Sequence, residues 1–375
     1  MGLDAEQWRM VGWPDRRFLD LVGTKYPIIQ APMANVAGVD LCVGAAKAGA
    51  LGSLPCGMIT PDQVREQVLE VRRQVDAPIN LNFFCFDLPA ASDDREWRKV
   101  LRSYYVHFGI PEPEATALRM PFDEAYCAVV EEVKPEVVSF HFGLPTELLF
   151  ERVKATDALV FGCATTVDEA FFLDQCGVDA IVAQGFEAGG HAGRFLAGDP
   201  REALGLFALL PQVVATVRTP VIAAGSIADG RGVAAALMLG ASAVQVGTAY
   251  LRCPESFLPD GHKEMLRKRA TIVTNIYSGG LARAVRGRLI DEIGPIRAEA
   301  PAYPYAGAIT LPLFRAALEQ EEYDFLPSLA GQNASLAQAL PAVDVTRVLA
   351  EEALAILNHE IEVQDGNRPR SGIHG

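Results

Sequence analysis

Basic residues are scarce in this chain: 33 lysines and arginines stand against 47 acidic residues, for a formal charge of -14. Such a field repels nucleic acid and anionic membrane surfaces, although a small anion can still bind where nearby N–H groups outweigh charge lying beyond a Debye length. Uninterrupted apolar runs of about 18 residues are missing as well. The segment MGLDAEQWRMVGWPDRRF mixes acids and bases where a secretory peptide needs an apolar stretch, so neither a membrane span nor export is expected. The seven cysteines (Cys42, Cys56, Cys85, Cys127, Cys163, Cys176 and Cys253) are odd in number, scattered and without a C-x-x-C pair. That pattern offers no disulfide framework and no metal site, and suits a reducing cytoplasm. The Gly-x-Gly-x-x-Gly fingerprint of a doubly wound dinucleotide-binding sheet is absent from the first strand–helix turn. No repeat longer than a strand–helix unit and no low-complexity tract is present.

What the chain does have is a globular composition, 50% hydrophobic and 21% charged over 375 residues, enough for a large core. From residue 24 onward, short apolar runs alternate with amphipathic stretches of helical length. Strands are predicted over 28–31, 51–54, 79–82, 137–140, 159–161, 180–183, 221–223 and 243–246, and helices over 39–48, 61–74, 167–176, 201–217 and 230–239. Gly49, Gly177 and Gly240 suit left-handed helix ends. Eight such units predict an α/β protein of the (β/α)8 TIM barrel kind. Two segments exceed a minimal barrel. Residues 86–121 should form an insertion after the third strand on the catalytic face, and residues 254–342, rich in proline and aromatics, a small C-terminal cap. The expected division is a barrel domain at 1–253, with a final helix (343–360) packing back on it, and a cap or substrate subdomain at 254–342.

Barrel chemistry sits in the loops after the strand C-termini, with phosphate commonly held after strands seven and eight. Those loops read AAGSIADGRG and QVGT, presenting the N–H groups of Gly225, Ser226, Gly247 and Thr248 to an anion; tight turns alone would also use these glycines. The loop after strand six, QGFEAGGHAGRF, holds Gly185, Gly189, Gly190 and Gly193 within nine residues, a density that suggests backbone packed against a flat ligand. His191 lies among them and is the expected catalytic residue, since a histidine can act as acid, base or cationic clamp. Glu187 is read as a carboxylate bonded to glycine N–H groups in preference to a charged partner of His191. His141, in SFHFGLP, is the second-choice active-site histidine. His107 belongs to the insertion, while His262, His359 and His374 read as solvated or terminal. Met33 ends the first strand either as core packing or against the ligand ring, and Asn82 and Gln184 end strands three and six as ring contacts or as loop caps.

The segments YPIIQAPM, QGFEAGGHAGRF and AAGSIADGRGVAAALMLGASAVQVGT resemble the nitronate monooxygenases, formerly grouped as 2-nitropropane dioxygenases, over essentially the whole barrel. NFFCFDLPAASDDREWRKVLRSYY, SFHFGLP and LAGQNASLAQALPA look like the bacterial class I members. The resemblance implies FMN bound without covalent attachment, its phosphate at Gly225, Ser226, Gly247 and Thr248 and its ring near Met33, Asn82, Gln184 and Gly189, with Gln245 and Val246 also in the cofactor site. His191 matches the family's active-site histidine. The implied reaction is oxidation of a small anionic nitronate, such as propionate 3-nitronate, by O2 to a carbonyl compound and nitrite, with Tyr303 and Tyr305 either on the substrate carboxylate or packing the cap. One departure is visible: Ser226 stands where the family usually has glycine. The glycine-rich loop is shared with FMN-dependent enoyl-ACP reductases, so an NAD(P)H-dependent FMN reductase of that or the quinone reductase kind is the enzyme alternative. A phosphate-binding barrel without chemistry is the alternative from another class.

Overall fold

The structure, a computed structural model, describes residues 12–91, 93–112 and 118–358. Its strands in chain order are β1 (Ile28–Gln30), β2 (Gly52–Pro55), β3 (Ile79–Phe84), β4 (Val137–His141), β5 (Leu159–Ala164), β6 (Ala180–Gln184), β7 (Gly190–His191), β8 (Val221–Ala224), β9 (Ala243–Val246), β10 (Thr271–Thr274) and β11 (Ala282–Val285). Eight of them form one parallel sheet in the order β1-β9-β8-β6-β5-β4-β3-β2. A parallel bridge between Ile29 and Leu51 joins its two ends, through bonds from Gln30 N–H to Leu51 O and from Leu51 N–H to Ile28 O, both 2.9 Å. The sheet is thereby a (β/α)8 barrel, with every expected strand in place.

The helices are α1 (Arg17–Val22), α2 (Val39–Ala48), α3 (Pro61–Gln74), α4 (Arg95–Phe108), α5 (Glu124–Val133), α6 (Glu147–Lys154), α7 (Val167–Gln175), α8 (Leu206–Thr216), α9 (Gly230–Met238), α10 (Asp260–Lys268), α11 (Arg288–Ile293), α12 (Tyr305–Glu319) and α13 (Ala342–Leu357). The helix expected over 201–217 starts five residues late. Asp199 caps a separate short turn at 200–202 by accepting the Arg201 N–H at 2.9 Å, and Gly205 then restarts the chain as α8. Thr60 and Gln63 form a reciprocal capping box at the start of α3, which satisfies two otherwise orphaned N–H groups.

Alternation along the strands sorts the core into two layers. Ile29, Leu51, Val137, Phe161, Val182, Ile222 and Ala243 share a cluster with Phe18 and Leu19 of α1, so α1 contributes to the barrel's own filling. The opposite strand faces pack against the surrounding helices in a larger cluster. The inserted α4 does not lie on this core. Its Trp97, Leu101 and Tyr105 pack with Ile276, Leu289, Ile309 and Leu313 in a second cluster, which ties the insertion to the segment after β9.

The last helix, α13, packs on α9 and α2. Gly230 opens α9 against it: its N–H bonds Glu352 Oε2 at 3.0 Å, and a Cβ there would sit 2.2 Å from Glu352 Cβ and 2.6 Å from Ala353 N. Gly230→Ala should therefore push the helices apart and destabilise the fold by about 1–3 kcal/mol, read as a lowered Tm in thermal unfolding; an unchanged Tm would contradict this packing.

Candidate active site

The glycine-rich loop leaves β6 and returns as β7, where His191 pairs with Ala282 and Gly190 with Arg283 of β11. Two side chains from the barrel fix this loop by its backbone. Gln184 Nε2 donates to His191 O at 3.0 Å while its Oε1 accepts the Gly193 N–H at 2.7 Å, and His141 Nε2 lies 3.2 Å from the same His191 O. A Cβ on Gly193 would meet His141 Cε1 at 2.7 Å and Cys163 Sγ at 2.8 Å, so the residue must be glycine for His141 to reach in. Glu169, fully buried, accepts the N–H groups of Phe195 (2.7 Å) and Leu196 (3.0 Å) and anchors the loop's far end to the turn after β5.

The His191 imidazole is thereby directed at a group no sequence motif marks. Its Nε2 lies 2.6 Å from Ser278 Oγ. That oxygen also accepts the Gly280 N–H at 3.3 Å; where its own hydrogen goes to Nε2, the imidazole proton sits on Nδ1. Phe142 and Tyr303 flank the ring at 6.1 and 5.4 Å between centroids. Burial, with the charge of Arg119 and then His141 adding to it, pushes the His191 pKa down to about 3. Burial likewise lowers His141 to about 4. Both imidazoles are neutral near pH 7.

A cavity of about 1220 Å³ opens beside His191, lined by Phe86, Phe142, Gln184, Gly190, Gly280 and Tyr303 among others. The turns after β8 and β9 do not line it; they adjoin it through the 185–190 segment. Ser226 Oγ donates to Glu187 O at 2.7 Å and accepts the Gln332 N–H at 2.8 Å, Asn333 Nδ2 donates to Ser226 O at 2.7 Å, and Gly331 N–H donates to Thr248 Oγ1 at 2.9 Å. Ser226 has φ +50°, a left-handed conformation that costs a non-glycine residue about 1–2 kcal/mol; its hydroxyl bonds offset that cost. Among the described residues, the N–H groups of Gly225, Ser226 and Gly247 have no acceptor.

The other expected site residues divide. Met33 stands by the β9 turn, where a Cβ on Gly247 would meet its Sδ at 3.5 Å. Asn82 bonds Ser139 Oγ and O at 2.9 and 3.2 Å, and Gly189 packs against the backbone of Ala330 and Gly331. Gln245 and Val246 lie in β9, with Val246 O accepting the Ala31 N–H. Tyr305 points to the insertion instead, donating to Pro89 O at 2.8 Å. Glu187 bonds backbone as expected, but the donor is Leu206 N–H (2.9 Å to each oxygen), at the start of α8, and not a glycine. His262 corrects the expectation of a solvated residue: it is buried, 2% exposed, against Ser328. His107 pairs with Glu322, while His359 and His374 lie outside the described residues. Ser278, Glu169 and Arg119 went unmarked; only the fold brings 278 and 119 to residue 191.

The family model described as nitronate monooxygenase matches residues 15–352. The chain belongs to the nitronate monooxygenase family. That family consists of flavin-dependent oxidoreductases. The nitronate monooxygenase of Pseudomonas aeruginosa is 39% identical over 346 residues, covering 90% of this chain and 98% of the relative. Among solved structures, the nitroalkane oxidase from Streptomyces ansochromogenes superposes with a TM-score of 0.84 at 34% identity, covering 92% and 99% of the two chains. FabK from Thermotoga maritima gives 0.73 at 28% identity, covering 92% and 97%. No helix among the described residues of this nitronate monooxygenase homologue is long and apolar enough to cross a membrane.

Three buried imidazoles make stability depend on acid. His141 and His262 (each about 4) and His191 (about 3) stay neutral in the fold, whereas the unfolded chain protonates its histidines near pH 6.5. Unfolded chains then bind more protons in that window, so stability is intact above about pH 6.5 and falls as pH drops towards 4. Tm should be several degrees lower at about pH 5 than at pH 7.5, with a smaller difference in His262→Gln; equal pH dependence in both proteins would count against it.

Proposed function

We propose that this protein oxidises alkyl nitronates with O2, giving a carbonyl compound and nitrite, with FMN as cofactor. The observation that carries the reading is the setting of His191: among the described residues no carboxylate is bonded to its imidazole, whose Nε2 faces Ser278 Oγ, and burial pushes its pKa down to about 3. A nitronate is already the carbanion-equivalent anion of its nitroalkane and needs no base, only a donor for its oxygens. Abstracting a proton from a neutral nitroalkane would instead call for a base with a pKa near the working pH, and a group pushed down to about 3 is a poor one.

The residues present suit FMN. Three unsatisfied N–H groups at the β8 and β9 turns, with the Thr248 hydroxyl beside them, form a donor set of the kind that binds phosphate, while the Ser226 hydroxyl donates to Glu187 O and holds the turn. Gly225 (φ +146°) lets the first turn adopt that shape. Met33 and Gly189 lie by the ring's expected position, and Asn82 retains an unused carboxamide oxygen. Gln184 spends its carboxamide on the loop, so its service to the ring is to place His191. When bound, the flavin supplies the electron-accepting chemistry that no side chain here possesses.

The protein's own part is placement and charge. His191 Nδ1–H donates to a nitronate oxygen, and Ser278, donating to Nε2, fixes the tautomer that permits it. The aromatic wall of Phe86, Phe142 and Tyr303 excludes water, which strengthens that bond. Residues 254–342 act as the cap that completes the cavity with Gly280, Arg283 and Tyr303. The free thiols, six of the seven buried, suit a cytoplasmic setting.

His191→Asn should retain flavin, seen in the visible absorption spectrum, while lowering nitrite release from propionate 3-nitronate by about 100-fold; wild-type rates would remove His191 from the mechanism. Gly189→Ala would place a Cβ 2.4 Å from Ala330 C and lift the 330–333 segment from the phosphate turns. It should purify with flavin content reduced several-fold, and full flavin content would rule out that seating. The likeness to FabK keeps an NAD(P)H-dependent reductase as the second reading. In that case anaerobic NADH or NADPH bleaches the flavin rapidly, whereas the proposed enzyme requires a nitronate.

A further inference from the structure

We propose that the outer face of α8 is the contact surface of a homodimer, in which two copies of this chain stack that helix antiparallel about a two-fold axis at Pro211.

Helix α8, LFALLPQVVAT, carries no charged side chain. A helix apolar on every side belongs in an interior, yet α8 lies in the outer ring of the barrel. Leu206, Leu209, Leu210 and Val213 are buried, while Phe207 (76% exposed), Ala208, Pro211 and Ala215 face solvent. The neighbouring helices extend this surface with Phe171 of α7, 50% exposed, and Met238 of α9, 71% exposed. Helix α7 packs on α8, and Gly240, two residues after Met238, lies so close to α8 that a Cβ there would meet Val214 Cγ1 at 2.9 Å. Contiguous apolar surface rimmed by charge marks an interaction face.

The rim charges select the occupant. Both helices run from the mouth of the barrel to its base, because each returns from one parallel strand to the start of the next. The end where they begin carries the acids Asp168 and Glu202, and the end where α8 finishes carries Arg218. Among the described residues none of these three side chains has an ion-pair partner. Other charges at these ends are committed: Asp199 holds Arg201, Arg194 Nε points to Leu196 O, and Asp174 accepts the N–H groups of Arg218 and Thr219. A partner on this face must therefore offer a base at one end and an acid at the other. A second copy turned end for end does so, which is the self-complementarity that a two-fold interface requires. Residues 207, 211 and 215 form one stripe along the helix. With the axis at Pro211, the projecting Phe207 of one copy lies over the small Ala215 of its partner, about 12 Å along the helix from the partner's Phe207 position. Two chains of formal charge -14 repel one another over most of their surface, so an uncharged strip is where they can meet. Pro200, Ala203 and Leu204, which lead into α8, also line the cavity beside His191; the partner copy thus stands at the cavity's outer rim.

Sedimentation velocity of the full-length protein as purified tests this over a concentration series. The wild type should sediment with twice the chain mass at about 10 μM, as a stable interface of ordinary size does. Phe207→Glu places a carboxylate on each side of the contact and should raise the dimer dissociation constant at least about 100-fold. Phe207 is exposed in the single chain, so the far-UV circular dichroism of this variant should match the wild type. Arg218→Glu should weaken the dimer about 10-fold, and adding Glu202→Arg should restore it, since the two-fold brings 218 of one copy to 202 of the other. A wild type that stays monomeric up to about 50 μM overturns the proposal and leaves the face to a different partner. A dimer indifferent to Phe207→Glu overturns it as well, because the copies then meet elsewhere. If Arg218→Glu weakens the dimer and Glu202→Arg fails to restore it, the antiparallel arrangement is overturned.

Discussion

Two barrel side chains converging on one carbonyl oxygen, Gln184 Nε2 and His141 Nε2 on His191 O, are the constraint from which the site follows. A loop with four glycines in nine residues has large conformational freedom to lose, and the imidazole's direction toward Ser278 would be lost if its backbone wandered. Both pinning groups sit at the ends of barrel strands, so the rigidity of the closed sheet passes directly to His191. Glu169 and the β7–β11 pairing hold the same loop from other sides. The barrel spends several buried polar groups on a single turn of backbone, as a precise reaction geometry requires.

The barrel itself was legible because its signals are local. Apolar runs of strand length and helices ended by Gly49, Gly177 and Gly240 follow from short-range sterics, and all three glycines take the left-handed conformation in the fold. The start of α8 was misjudged because helical composition runs through Arg201 and Ala203, while the Asp199 cap and Gly205 break it there. In the candidate site, the positions of His191 and of the turns after β8 and β9 could be read from glycine spacing and strand ends. Ser278 and Arg119 could not, since neither stands in a patterned neighbourhood and each acquires meaning only from a contact made across the fold. His262 was misread for a related reason: its helix, α10, has a mostly charged sequence, and the apolar surroundings come from elsewhere in the chain.

Charge is distributed against the grain of the whole molecule. An acidic chain surrounds a pocket lined by Arg194 and Arg283 as well as by Asp87, Glu147 and Glu151. Long-range repulsion of anions is screened over about 8 Å at physiological ionic strength, whereas donors inside an aromatic enclosure act at full strength. The lowered pKa of His191 follows first from burial, with the charge of Arg119 and then of His141 adding to it.

Ser226 has a bearing on how the protein is made. Its left-handed turn is fastened by Gln332 and Asn333, which lie 106 and 107 positions further along the chain. During synthesis the eight barrel strands have all emerged before either residue exists, so the barrel can close while this turn is still loose. The turn after β8 then sets only once the barrel strands are complete, and a chain cut short before residue 332 would keep those strands yet lack the clasp on Ser226.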